Sequence, residues 1–92
     1  MKVKVEYAAQ LKRAAGVSSE EFELTGPCSL GELLDRIVQR HGEAVRQALL
    51  DQDGRLHPSM LVFVGEDQVR RDQTRPLQDG DVVTFLPPIS GG

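Results

Sequence analysis

The sequence predicts an α+β fold: a mixed sheet of four to five strands packed on one main helix, with a short second helix beside it. Three patterns predict it. Residues 2–8 and 20–25 alternate apolar and polar with period two, as strands with one buried face do. Residues 29–42 carry apolar side chains at helical spacing between a start and a stop signal. Residues 60–64 are a continuous apolar run of strand length, rich in β-branched and aromatic residues, and 82–86, VVTFL, read as the last strand. Strands, then helix, then strands again put the helical layer on one face of one sheet.

Each element has its own warrant. In the first strand Val3, Val5 and Tyr7 alternate with Lys2, Lys4 and Glu6. Residues 8–19 are small, polar and helix-tolerant, and end in the turn-prone Gly16-Val17-Ser18-Ser19. In the second strand Phe22 and Leu24 point inward, and Glu21, Glu23 and Thr25 outward, which predicts an antiparallel hairpin with a long connection. Gly26-Pro27 breaks that strand. Ser29 and Glu32 have capping-box spacing, each able to satisfy the other's free backbone amide. Leu30, Leu33, Leu34, Ile37 and Val38 then form one helical stripe, and Gly42 stands where a left-handed cap is wanted. A short helix is expected over 43–50, a polar turn around Asp53-Gly54, and a strand over Met60–Val64. Gly65 to Gln68 reads as a turn and Val69-Arg70 as a short returning strand. Asp79-Gly80-Asp81 is a turn before the last strand, which Pro87 stops because proline has no amide to donate.

Composition removes several classes of function. The chain has 92 residues, enough for one core. Its net charge of −3, with no basic run longer than Arg70-Arg71, argues against a nucleic-acid binder. No apolar run approaches the roughly 20 residues that span a bilayer, and the alternating N-terminus lacks a signal peptide's apolar region. No membrane partner is expected, and the cytoplasm is the expected compartment. The single cysteine, Cys28, excludes an internal disulfide framework and a cysteine-based metal cluster. No nucleophile-base pair, phosphate loop or metal-ligand set stands out, so the chain does not read as an enzyme, and no bound cofactor or metal is expected.

The end of the chain, Phe85-Leu86-Pro87-Pro88-Ile89-Ser90-Gly91-Gly92, carries the chemistry. The division expected is a domain over 1–86 and an extended tail over 87–92. Two prolines fix φ and push the preceding residues to extended geometry, making a stiff spacer. From Pro87 to Gly92 the tail reaches about 20 Å when extended. Two glycines without Cβ can thread a channel too narrow for side chains. The Gly92 carboxylate is then open to activation by a partner that holds ATP, as an acyl adenylate.

The stretch LQDGDVVTFLPPISGG resembles the C-terminal region of the ThiS/MoaD family of sulfur-carrier proteins. The matching pieces are Asp79-Gly80-Asp81, Phe85, Pro87-Pro88 and Gly91-Gly92, and the Pro-Pro-x-x-Gly-Gly form is closer to the MoaD type. Leu61 to Asp67 is similar to the central strand and turn of ubiquitin. The first 60 residues match in pattern, and 42–59 is longer than a minimal MoaD needs, like the CysO carrier and the archaeal ubiquitin-like modifiers. The resemblance implies a ubiquitin-like β-grasp. It also implies partners: a MoeB/ThiF-type enzyme that adenylates Gly92, a sulfur donor that makes the thiocarboxylate, and an acceptor such as the molybdopterin synthase large subunit. The alternatives are a carrier for cysteine, thiamine or a similar pathway, a modifier conjugated to lysines, and a plain interaction module.

Strand parity predicts a docking face. With Phe63 and Phe85 turned inward, Val62, Val64 and Leu86 point outward beside the tail and make an apolar partner-binding patch. Arg70, Arg71 and Arg75 read as a solvated rim. Cys28 reads as a hydrophobic staple with Leu33 rather than a reactive thiol. His41 reads as a helix-end residue favoured by the dipole, and Asp51 to Gly54 as a turn rather than a calcium loop.

Overall fold

β1 (Lys2–Tyr7) and β5 (Val82–Leu86) run parallel at the centre of a five-stranded sheet in a computed structural model of the chain, which describes residues 1–70 and 75–87. The remaining strands are β2 (Ser19–Glu23), β3 (Leu61–Val64) and β4 (Asp67–Val69), and the order across the sheet is β2-β1-β5-β3-β4. Only the β1–β5 pair is parallel, so the sheet is mixed, as expected. The first and last strands of the chain are therefore neighbours, and the tail leaves from the middle of the sheet.

Among the described residues three helices accompany the sheet: α1 (Ala9–Ala15), α2 (Leu30–His41) and α3 (Glu43–Leu49). α1 fills the long connection of the first hairpin and buries Leu11 completely; Gly16, at φ 79°, closes it in the left-handed region. α2 begins as its spacing predicts. The Ser29 hydroxyl accepts from the Glu32 amide at 3.2 Å, and Leu30, Leu33, Leu34 and Ile37 are buried. Gly42 ends α2 and starts α3 at once. Its φ of 90° and ψ of −155° are not the left-handed cap expected but a conformation close to glycine-only, which lets one helix turn sharply into the next. The turn between β3 and β4 is tighter than its sequence suggests. Gly65-Glu66 alone makes the loop, with Val64 opposite Asp67, so β4 starts two residues earlier than expected.

The core gathers from both layers. Val3, Val5, Leu11, Leu33, Ile37, Val45, Leu49, Val62, Val83 and Phe85 are fully buried. Here one expectation is overturned. Val62 and Val64 are 0% and 3% exposed and face the helices, whereas Leu61 is 44% exposed and Phe63 half-buried. The register explains it. Opposite residues of an antiparallel pair share a face, and Val62 lies opposite Phe85 and Val64 opposite Val83. Once Val83 and Phe85 point inward, Val62 and Val64 must follow them. Leu61, opposite Leu86, and Phe63, opposite Thr84, take the outer face. No helix of the described residues is long and apolar enough to cross a membrane.

Candidate functional site

The site is built at the end of the sheet where β5 stops. Its foundation lies at the other end of that strand, in the turn Asp79-Gly80-Asp81. The Lys2 amide donates to the Asp79 carboxylate at 2.7 Å, and the Gly80 amide donates to the Lys2 carbonyl at 2.8 Å. The Lys4 amide donates to the Asp81 carbonyl at 2.9 Å, while the Asp81 carboxylate accepts from the Gln78 amide at 2.8 Å. Gly80 sits at φ 86°, which that turn requires. The start of β5 is thus fixed to the start of β1, and the strand delivers Phe85, Leu86 and Pro87 to the opposite end.

Phe85 is fully buried and anchors the strand; Leu86 is half-buried on the outer face, the orientation expected of it. Pro87 is itself buried, so the first proline of the spacer packs into the body rather than projecting from it. Pro88, Ile89, Ser90, Gly91 and Gly92 lie outside the described residues, as does Arg71. On the outer face Leu86 is joined by Leu61 and Phe63, a small apolar group. Toward β1 the face turns polar: Thr84 donates to Glu6 at 3.1 Å, and Lys4 lies 3.9 Å from Glu6. Toward β4 it ends at Gln68 and Arg70. Arg75 pairs with Asp67 at 3.3 Å.

A polar cluster that the sequence analysis did not assemble lies behind the same end of the sheet, on its helical side. The Tyr7 hydroxyl donates to Glu20 Oε2 at 2.6 Å, and His41 Nε2 meets the same oxygen. Arg40 donates to Glu20 Oε1 at 3.2 Å and to the Glu21 carbonyl at 3.0 Å, with its guanidinium 3.8 Å above the Phe22 ring. The His41 ring meets the Tyr7 ring edge-on at 6.0 Å. Burial opposes ionisation of Glu20, but hydrogen bonds from Tyr7, His41 and Arg40 outweigh it and hold its carboxyl below the ordinary range. Burial first, and then the Glu20 carboxylate, push the Tyr7 hydroxyl upward, so it stays a donor. One signal was available: Glu20 shares the parity of Phe22 and Leu24, and an inward carboxylate demands partners. His41 supplies one of them, a more definite role than a dipole contact.

The other candidates are structural. Cys28 and Leu33 are both buried in the core, as a staple requires. Burial, followed by the Glu32 charge and hydrogen bond, raises the thiol's pKa, the reverse of an activated nucleophile. Asp51 Oδ1 accepts from the Asp53 and Arg55 amides at 2.9 and 3.1 Å, which closes the turn at 51–54. His57 Nδ1 accepts from the Ser59 amide at 3.2 Å. Among the described residues no three His, Cys, Asp or Glu side chains gather to hold a metal ion.

A family model described as the ThiS family matches residues 5–92. Over 92 residues, 100% of each chain, the sequence is 32% identical to a molybdopterin synthase sulfur carrier subunit from Chlamydomonas reinhardtii. The crystal structure of SAMP1 from Haloferax volcanii superposes with a TM-score of 0.87 over 100% of both chains at 24% identity, a likeness of fold. A chain of the Amycolatopsis orientalis BexX/CysO complex gives a TM-score of 0.72 at 28% identity, covering 98% of this chain and 99% of that one. The mixed sheet with its helices is the ubiquitin-like β-grasp that the strand order and the tail predict.

Proposed function

Because the chain belongs to the ThiS family, we propose that it carries sulfur on the carboxyl carbon of Gly92, as the small subunit of a molybdopterin synthase. The observation that carries this reading is the full-length likeness to a molybdopterin synthase sulfur carrier subunit. In the first step the Gly92 carboxylate attacks the α-phosphorus of ATP on a MoeB/ThiF-type enzyme, giving the acyl adenylate and pyrophosphate. A donor persulfide then attacks the acyl carbon and AMP leaves. A second thiol of the donor cleaves the resulting acyl persulfide; that thiol is oxidised to a disulfide and the thiocarboxylate is released. The thiocarboxylate is the sulfur source for an acceptor enzyme.

This chain's part is presentation. Leu86, Leu61 and Phe63 dock on the partner, and the segment after Pro87 enters its channel. ATP is consumed by the partner, and the chain needs no cofactor of its own. Incubation with ATP, a MoeB/ThiF-type enzyme and a persulfide donor should give an oxygen-to-sulfur shift in intact mass. Deleting Gly92 should abolish it; an undiminished shift after the deletion refutes the reading. A second destination, a cysteine-forming acceptor, fits the same tail, and the likeness to a chain of the BexX/CysO complex is in keeping with carriers outside molybdopterin synthase. Titrating the thiocarboxylate form against molybdopterin synthase large subunit and against a cysteine synthase separates the two.

A further inference from the structure

We infer that Tyr7, Glu20 and His41 are positioning residues for the tail: their cluster holds the end of β1 that sets where β5 releases the chain. The two ends of the central parallel pair are secured differently. At its start, β5 is tied to β1 by the Asp79–Asp81 turn, through backbone and carboxylate bonds to Lys2 and Lys4. At its finish the last paired rung is Tyr7 opposite Phe85, followed at once by Leu86 and the buried Pro87. Among the described residues no comparable turn closes that rung. On its β3 side Phe85 pairs with Val62 and Leu86 with Leu61; on its β1 side it is backed by the Tyr7 side chain, which is 5% exposed and shares the core with Phe85.

Its hydroxyl is fixed at 2.6 Å by a carboxylate that is itself fixed by Arg40 and His41 at the C-terminal end of α2. The Tyr7 amide is also engaged, donating to the Ser18 carbonyl at 2.9 Å. A three-donor carboxylate at half-buried depth is stiff, because losing one donor leaves charge without compensation. The cluster therefore transmits the position of α2 to the final rung of the ladder, and from there to the residue where the tail begins. The inference rests on the carrier reading for its consequence, since a misplaced root misplaces the reacting carboxylate. It does not rest on that reading for the geometry.

Amide hydrogen exchange on the full chain tests it. In Tyr7→Phe, which keeps the ring, the Phe85 amide, which faces β1, should exchange about tenfold faster, the equivalent of one lost bond to a charged group. Val83, beside the anchored turn, should be unaffected. Glu20→Leu should reproduce the pattern, and Glu20→Gln, which still accepts from Tyr7, should largely restore protection. Equal acceleration along β5, or none, overturns the inference. In the thiocarboxylate assay Tyr7→Phe should lower kcat and leave KM in place, because the docking residues Leu61 and Phe63 are untouched. A change in KM alone counts against it. If wild type forms no thiocarboxylate, the carrier reading fails while the exchange experiment still decides the positioning role.

Discussion

Two neighbouring residues of β3 should fail in opposite ways. Val62 is fully buried and Leu61 is 44% exposed. Val62→Ala removes two carbons from a filled core, about 1.6 kcal/mol of transfer plus a cavity contribution, or about 2–3 kcal/mol in all. For a domain stable by roughly 5–15 kcal/mol that is a large fraction. With a urea slope of roughly 1–3 kcal/mol/M, the midpoint should fall by about 0.7–3 M. Leu61→Asp loses little burial and should change stability by no more than about 1 kcal/mol. It does place a carboxylate in the apolar group proposed to dock on the partner, and on that proposal kcat/KM for thiocarboxylate formation should fall about tenfold or more, as truncating a central interface residue does. Urea unfolding and the sulfur-loading rate, both measured where each variant is folded, give the comparison. A Val62→Ala protein that is stable but slow to load, beside a Leu61→Asp protein that loads normally, would refute the assignment of faces.

Three further outcomes follow from the geometry. The Glu20 carboxyl lies below its ordinary value of 4.5 in the folded state, so its contribution is present above that pH and lost as pH falls through the lower folded value. The stability difference between wild type and Glu20→Gln, followed by urea unfolding, should be largest near neutrality and close in acid; a difference that grows in acid contradicts the cluster. Gly42→Ala should destabilise by about 1–3 kcal/mol through backbone strain alone, since a Cβ there meets nothing within 4 Å. By contrast, Gly31→Ala, in the first turn of α2 with only a 3.8 Å approach to Ser29 Oγ, should stabilise by about 0.5–1 kcal/mol. Thermal unfolding of the pair checks both signs. Cys28, 5% exposed and with a raised pKa, should react with a thiol reagent only at the rate of opening; labelling as fast as in the urea-unfolded chain would contradict its place in the core.

What was legible in the sequence divides along physical lines. β1, β2 and α2 declare themselves because each has one buried and one wet face, so a period is visible. The Ser29 cap and the Asp79–Asp81 turn are set by local chemistry and can be read without a partner strand. The facing of β3 could not be read in this way. Leu61, Val62, Phe63 and Val64 are all apolar, so either parity fits, and only the pairing of Val62 with Phe85 and Val64 with Val83 decides. The parity that turns Phe63 inward with Phe85 fits the sequence equally well, and the register puts the valines there instead. The Glu20 cluster also needed the third dimension, because Tyr7, Glu20 and His41 come from three elements. Its trace in the sequence was a carboxylate at an inward position.

The place of β5 has a consequence for how the molecule comes into being. β5 follows the other described strands in sequence yet is inserted between β1 and β3, so a nascent chain that has not reached it lacks the middle of its sheet. A nascent chain that has emerged only as far as residue 81 exposes the open backbones of two strands and has no Phe85 to close its core. Loop-closure entropy sets a further delay, because the β1–β5 rungs join residues nearly the whole chain apart. Insertion of β5 is thus the step that completes the sheet. A product that stops short of it should be open to proteolysis.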